Sequence, residues 1–174
     1  MKKLEDYVIT IPDFPEKGIM FRDVTGILQD ADGLALAIDE YKRMLENVDF
    51  DVIVGAESRG FVFGGALSYI FHKPFILARK PGKLPRESVS CEYELEYGKA
   101  SIELHKDSIK PGQKVVILDD LIATGGTVEA IAKLVEMLGG EVVKMVFIME
   151  LAGLDGRKRL EKYDIDSAII YEGK

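Results

Sequence analysis

Asp119 and Asp120 close an apolar run, VVILDD, and the loop ATGGT follows after two residues, so two carboxylates and a glycine-rich turn share the stretch 119–127. In an open parallel sheet, ligands collect beyond the carboxyl ends of strands, and this acid pair falls at such an end if VVILDD is a strand. Ala123, Thr124, Gly125, Gly126 and Thr127 offer converging backbone N–H groups, two hydroxyls and the positive end of a helix predicted to begin there. Together these make a phosphate cradle. Two carboxylates beside it would repel the same anion at contact distance. A ribose 5-phosphate resolves the conflict: its phosphate lies in the loop, and its hydroxyls, one sugar length away, donate to Asp119 and Asp120. Mg2+ could share those hydroxyls and a polyphosphate.

Other motifs are weaker. A dinucleotide fingerprint needs its acid after the glycines, and here the acids come first; no G-x-x-x-x-G-K-[ST] loop occurs. His72 and His105 have no second His or Cys at ligand spacing, so no zinc site is expected. Cys91 has no partner His nearby in sequence, and ESRGF at 57–61 lacks the first glycine of a serine-hydrolase elbow. GLDGRKRLEKY at 153–163 reads as a short surface helix with solvated basic residues.

The elements that must hold the loop are legible in the pattern. From residue 51 onward, short β-branched runs alternate with helix-period segments, which predicts an α/β fold with a parallel sheet of about five strands and helices on both faces. KVVILDD, apolar on both faces, suits a central strand. Val128, Ile131, Leu134, Val135 and Leu138 recur at helical spacing before the stop at Gly139 and Gly140. Leu34, Ala37, Ile38, Tyr41, Met44, Leu45 and Val48 form another stripe, preceded by an irregular N-terminal segment that caps something. KPGKLPRESVSCEYELEYGKASIEL at 80–104 reads as a mobile arm, a hairpin turning near Gly98 and Lys99 with Glu92, Glu94 and Glu96 on one face. By periodicity alone, Glu96 is a solvated strand carboxylate.

Composition sets the bounds. The chain has 174 residues, 47% hydrophobic and 30% charged, which suits one soluble domain, 1–174. With 23 Lys and Arg against 30 Asp and Glu, the net charge of −7 disfavours nucleic acid and anionic membranes as partners. One cysteine and the absence of a secretory or membrane-spanning apolar run point to a cytoplasmic address.

The strand, acid pair and TGGT loop resemble the type I phosphoribosyltransferases. Narrower likenesses to the adenine phosphoribosyltransferases run in order along nearly the whole chain: PDFPEKGIMFRD at 12–23, ESRGFVFG at 57–64, RKPGKLP at 79–85 and LEYGKASIELHKD at 95–107. The resemblance implies a parallel central sheet with an N-terminal hood and a flexible hairpin arm. It also implies a reaction in which adenine displaces pyrophosphate from 5-phosphoribosyl 1-pyrophosphate (PRPP), with Mg2+ held mainly through PRPP, in a homodimer. On that likeness residues 123–127 hold the ribose phosphate, Asp119 and Asp120 the ribose hydroxyls, and Arg59, Arg79, Lys80 and Lys83 the pyrophosphate, a soluble basic surface being the alternative for Lys83. Glu96 exchanges a proton with the purine imidazole ring, and Tyr97 helps close the lid. Met20, Phe21 and Arg22 cover the base, with Leu121 or Ile122 facing them, although Phe21 serves equally as a core residue of the cap. A cis peptide is expected between Glu57 and Ser58. The alternatives are another purine (hypoxanthine, guanine or xanthine) or a PRPP-sensing regulator, for which a basic DNA-binding appendage is missing.

Overall fold

The structure, a computed structural model, describes residues 2–95 and 98–173. The chain opens with β1 (Ile9–Pro12) and β2 (Met20–Asp23), an antiparallel pair, where the sequence suggested an irregular segment. The ladder is hidden by the residues that turn it: Asp13 at φ +56° accepts the Gly18 N–H at 2.7 Å, and the Phe14–Pro15 peptide is cis. α1 (Thr25–Leu28) leads to α2 (Ala31–Leu45), whose N-cap Asp30 accepts the N–H groups of Asp32 and Gly33 at 2.9 and 3.3 Å. There follow β3 (Val52–Ala56), α3 (Gly60–Phe71) and β4 (Phe75–Ala78), then the hairpin of β5 (Ser88–Leu95) and β6 (Gly98–His105). β7 (Lys114–Ile122), α4 (Gly126–Met137), β8 (Glu141–Leu151), the four-residue α5 (Gly156–Arg159) and β9 (Ile165–Tyr171) complete the chain.

Five strands form one all-parallel sheet in the order β4–β3–β7–β8–β9, with β7 in the middle. Along β7 the pleat sends Val115 and Ile117 to one side and Val116 and Leu118 to the other, and all four are buried. The first side meets Ile131, Leu134 and Val135 of α4, with Ile102 and Leu104 of the hairpin; the second meets Tyr41 and Met44 of α2, with Phe63 and Leu67 of α3. Burial on both faces is why these strands read as continuous apolar runs.

The hairpin differs from its expected form in two respects. Its ladder pairs Glu94 with Lys99 and Leu95 with Gly98, so Gly98 and Lys99 are strand residues, and residues 96–97 between the two strands lie outside the described residues. Gly98, at φ +106°, opens β6 beside the turn, which is what made it a misleading turn signal. The arm is also docked at its base, since Val89, Cys91 and Tyr93 pack against the core that holds Ile102 and Leu104.

Phe75 fills space that two glycines leave. A Cβ on Gly64 would lie 2.3 Å from its ring, and one on Gly55 2.5 Å. Gly64→Ala should therefore cost about 1–3 kcal/mol by overpacking, a fall of several degrees in Tm for a chain of this size. Adding Phe75→Leu should recover part of the loss. An unchanged Tm in Gly64→Ala would show that the ring swings clear.

Candidate active site

The carboxyl end of β7 carries the acid pair, as the pattern predicted, and the two carboxylates have different surroundings. Asp120 is 2% exposed; one of its oxygens accepts the Leu121 N–H at 2.9 Å and the other accepts Nε of Arg59. Asp119 accepts the Asp120 N–H at 2.9 Å, and no cation is paired with it among the described residues. Burial, and then the neighbouring charge of Asp120, push the Asp119 carboxyl well above the usual carboxylate range. From beneath, the hydroxyl of buried Tyr41 donates to the Asp119 carbonyl at 2.7 Å, tying α2 to the strand end. Burial and the two Asp charges raise that phenol well above its ordinary value, so it stays a neutral donor.

The loop turns directly off this strand. Gly125, at φ +78°, is the N-cap of α4, a conformation that favours glycine. No side chain caps the helix, so its first-turn N–H groups face a cavity of about 150 Å3. Arg59, Asp119, Asp120, Leu121 and the whole loop Ala123, Thr124, Gly125, Gly126 and Thr127 line that cavity. The structure thus brings together the glycine-rich loop, the acid pair and one arginine.

Of the remaining predicted cations, Arg79 reaches Glu57 through its guanidinium and Lys80 only through its backbone N–H, a contact the sequence did not indicate. The Glu57 carboxylate accepts the Lys80 N–H at 2.8 Å and the guanidinium of Arg79 at 3.3 and 3.4 Å. Burial alone would raise the Glu57 pKa, but the Lys80 N–H and Arg79 outweigh it and hold the carboxyl below its ordinary value. The Glu57–Ser58 peptide is cis, as the resemblance implied. Arg79 exchanges backbone hydrogen bonds with Glu103 of β6, at 3.0 and 2.8 Å. The Lys80 and Lys83 side chains are exposed.

The residues proposed for the base sit in the N-terminal hairpin. Met20 is 42% exposed, Phe21 meets Phe14 edge-on at 5.1 Å, and Arg22 lies over the Tyr171 ring at 4.2 Å while donating to Thr10. None of the three lines the β7 cavity, whereas Leu121 does. Glu96 and Tyr97 lie outside the described residues. In 153–163 the basic residues are exposed as expected, but Arg157 is also paired: its Nε donates to both oxygens of buried Glu150 at 2.8 and 2.9 Å. The sequence held no local signal for this contact, because the partner lies on another element. Among the described residues, no three Asp, Glu, His or Cys side chains converge as a cation site. Two carboxylates with free lone pairs fit Mg2+ only when ligand oxygens complete the shell.

Comparison with known proteins gives a consistent picture. The sequence model of the phosphoribosyl transferase domain matches residues 21–172. The chain is 68% identical over 174 residues to the adenine phosphoribosyltransferase of Agathobacter rectalis, covering all of both chains. It is 54% identical over 167 residues to that of Thermosipho africanus, covering 96% of this chain and 98% of the relative. The crystal structure of adenine phosphoribosyltransferase from Thermoanaerobacter pseudethanolicus superposes with a TM-score of 0.93 at 52% identity, covering 97% of this chain and 98% of that one. The Saccharomyces cerevisiae enzyme, complexed with an imino-altritol bisphosphate and adenine, gives 0.89 at 37%, with 95% and 96% covered.

The raised Asp119 pKa has a measurable consequence. The folded protein holds this proton more tightly than the unfolded chain, so its contribution to stability falls as pH rises from the ordinary carboxylate range through the raised folded value. Asp119→Asn should raise Tm at pH 8. The advantage should close towards about pH 3.5, below the ordinary aspartate value. Thermal unfolding across that range tests it, and a gap that does not change with pH would contradict it.

Proposed function

This chain belongs to the phosphoribosyl transferase domain family, and within it we propose that the chain transfers the 5-phosphoribosyl group of PRPP to adenine, releasing pyrophosphate and forming AMP for purine salvage. The observation that carries this reading is the single cavity in which an acid pair and an uncapped glycine-rich helix start face each other. Ribose 5-phosphate spans those two chemistries and satisfies both.

The residues have separable tasks. The backbone N–H groups of 123–127, with the Thr124 and Thr127 hydroxyls, bind the 5-phosphate. Asp119 and Asp120 accept from the ribose hydroxyls and fix the ring while C1 becomes oxocarbenium-like. The bond from the purine imidazole nitrogen to C1 forms as the bond from C1 to the pyrophosphate oxygen breaks, and the proton on the imidazole passes to the Glu96 carboxylate. Arg59 keeps its Nη donors for the departing pyrophosphate, with Arg79, Lys80 and Lys83 supplying the rest of the positive charge. Glu57 holds Arg79 and the Lys80 backbone in place for that task. Met20, Phe21 and Arg22 cover the base opposite Leu121, and Tyr97 closes the arm over it. When bound through PRPP, Mg2+ supplies charge neutralisation of the polyphosphate.

The reading extends to a single-domain cytoplasmic homodimer. Cys91 is a free thiol, which suits a reducing compartment. No helix among the described residues is long and apolar enough to cross a membrane. On α3 and the edge strand β4, Val62, Tyr69, Ile70 and Leu77 keep apolar side chains in solvent, Tyr69 being 90% exposed. These residues support a second copy docked on that edge.

Incubation with PRPP, Mg2+ and adenine should yield AMP and pyrophosphate, with hypoxanthine, guanine and xanthine giving far slower turnover. Comparable rates with another purine would overturn the assignment of adenine. Glu96→Gln should lower kcat by about 10²–10⁴-fold and leave the KM for PRPP nearly unchanged; full activity in that variant would refute the proton-exchange role. For the dimer, Tyr69→Arg should shift the mass measured by light scattering towards the monomer, and an unshifted mass would remove this edge from the interface.

A further inference from the structure

The short α5 turn lies directly behind the phosphate loop, in closer contact than loops ordinarily make. A Cβ on Gly156 would fall 2.3 Å from the Ala123 carbonyl oxygen, so only a glycine lets the two backbones approach this way. In return, the Gly156 carbonyl oxygen and the buried Leu160 side chain abut Gly125, at 3.1 and 3.2 Å from the position its Cβ would take. The loop therefore cannot retreat from its ligand without moving the α5 turn.

What holds that turn is Arg157. Its Nε donates to both oxygens of Glu150, and one Nη donates to the Ile165 carbonyl of β9 at 3.0 Å. Glu150 is 4% exposed and sits in register beside Ile122, the last residue of β7, from which the loop springs. A buried carboxylate bonded to a guanidinium is a stiff joint, and losing one partner leaves an uncompensated charge.

We infer that Arg157, acting through Glu150, is a positioning residue that pins the α5 turn against residues 123–126 and so preorganises the loop for the 5-phosphate. The inference rests on the proposed phosphoribosyl chemistry for the identity of the ligand, but its readout does not require turnover. Arg157 touches no ligand in this scheme. Its effect should appear in the affinity for phosphate-bearing ligands and leave the chemical step largely intact.

Calorimetric titration with ribose 5-phosphate tests this on the full chain. Arg157→Met and Gly156→Ala should each weaken binding about tenfold, as expected when preorganisation is lost. Arg157→Lys, which keeps the charge, should recover part of that loss. In steady state, the KM for PRPP should rise in parallel, with the KM for adenine and kcat at saturating PRPP little changed. If Arg157→Met leaves Glu150 uncompensated and fails to fold, the double variant Glu150→Gln with Arg157→Met supplies the same readout. Wild-type affinity in Arg157→Met, or in the double variant where the single one does not fold, overturns the inference, and so does a loss of kcat with an unchanged KM for PRPP. If the wild type binds ribose 5-phosphate but makes no AMP, the transfer reading fails, and the binding comparison still decides the role of Arg157.

Discussion

Asp119 and Asp120 are adjacent carboxylates drawn out of water at the tip of the central strand, and their repulsion is the constraint around which the neighbouring structure is arranged. Asp120 is ion-paired with the Arg59 side chain and accepts the Leu121 backbone N–H. Asp119 has no such cation among the described residues and tends to keep a proton. Two neighbouring carboxyl groups thereby have unlike partners. The Tyr41 hydroxyl fixes the peptide between them from the opposite face of the sheet.

The cavity depends on close backbone approaches as much as on charge. Gly60 keeps the start of α3 against Asp119: a Cβ there would lie 3.1 Å from the carboxylate. Gly156 lets the α5 turn reach the back of the loop, and Gly125 supplies the left-handed residue at which strand becomes helix. A side chain would block the contact at Gly156 and crowd or strain those at Gly60 and Gly125, so much of the site is built from residues with no functional groups of their own.

Much of this was legible in the amino-acid order, for physical reasons. VVILDD followed by ATGGT announced itself because a doubly buried strand reads as an unbroken apolar run and a phosphate loop needs glycines at its turn. The α2 and α4 stripes were equally plain, since helical spacing of apolar residues survives in a single sequence. The β1–β2 ladder was obscured by two prolines and a glycine that shape its turn. Gly98 misled because a positive φ also occurs in a strand residue beside a turn. The pairing of exposed Arg157 was hidden because Glu150, its partner, is brought to it by the sheet and is unremarkable along the chain. The contacts of Glu57 were hidden for a similar reason: its partners Arg79 and Lys80 lie on the far side of α3 in sequence.

The bridge between Arg79 and Glu103 places the basic segment on the anchored part of the hairpin. Glu103 is flanked by Ile102 and Leu104, both buried against α4 and the sheet, so the backbone of Arg79 is stitched to a fixed wall. The guanidinium of Arg79 is thus mounted on the same wall that packs against α4, so its placement is set by the folded core and not by any ligand it meets.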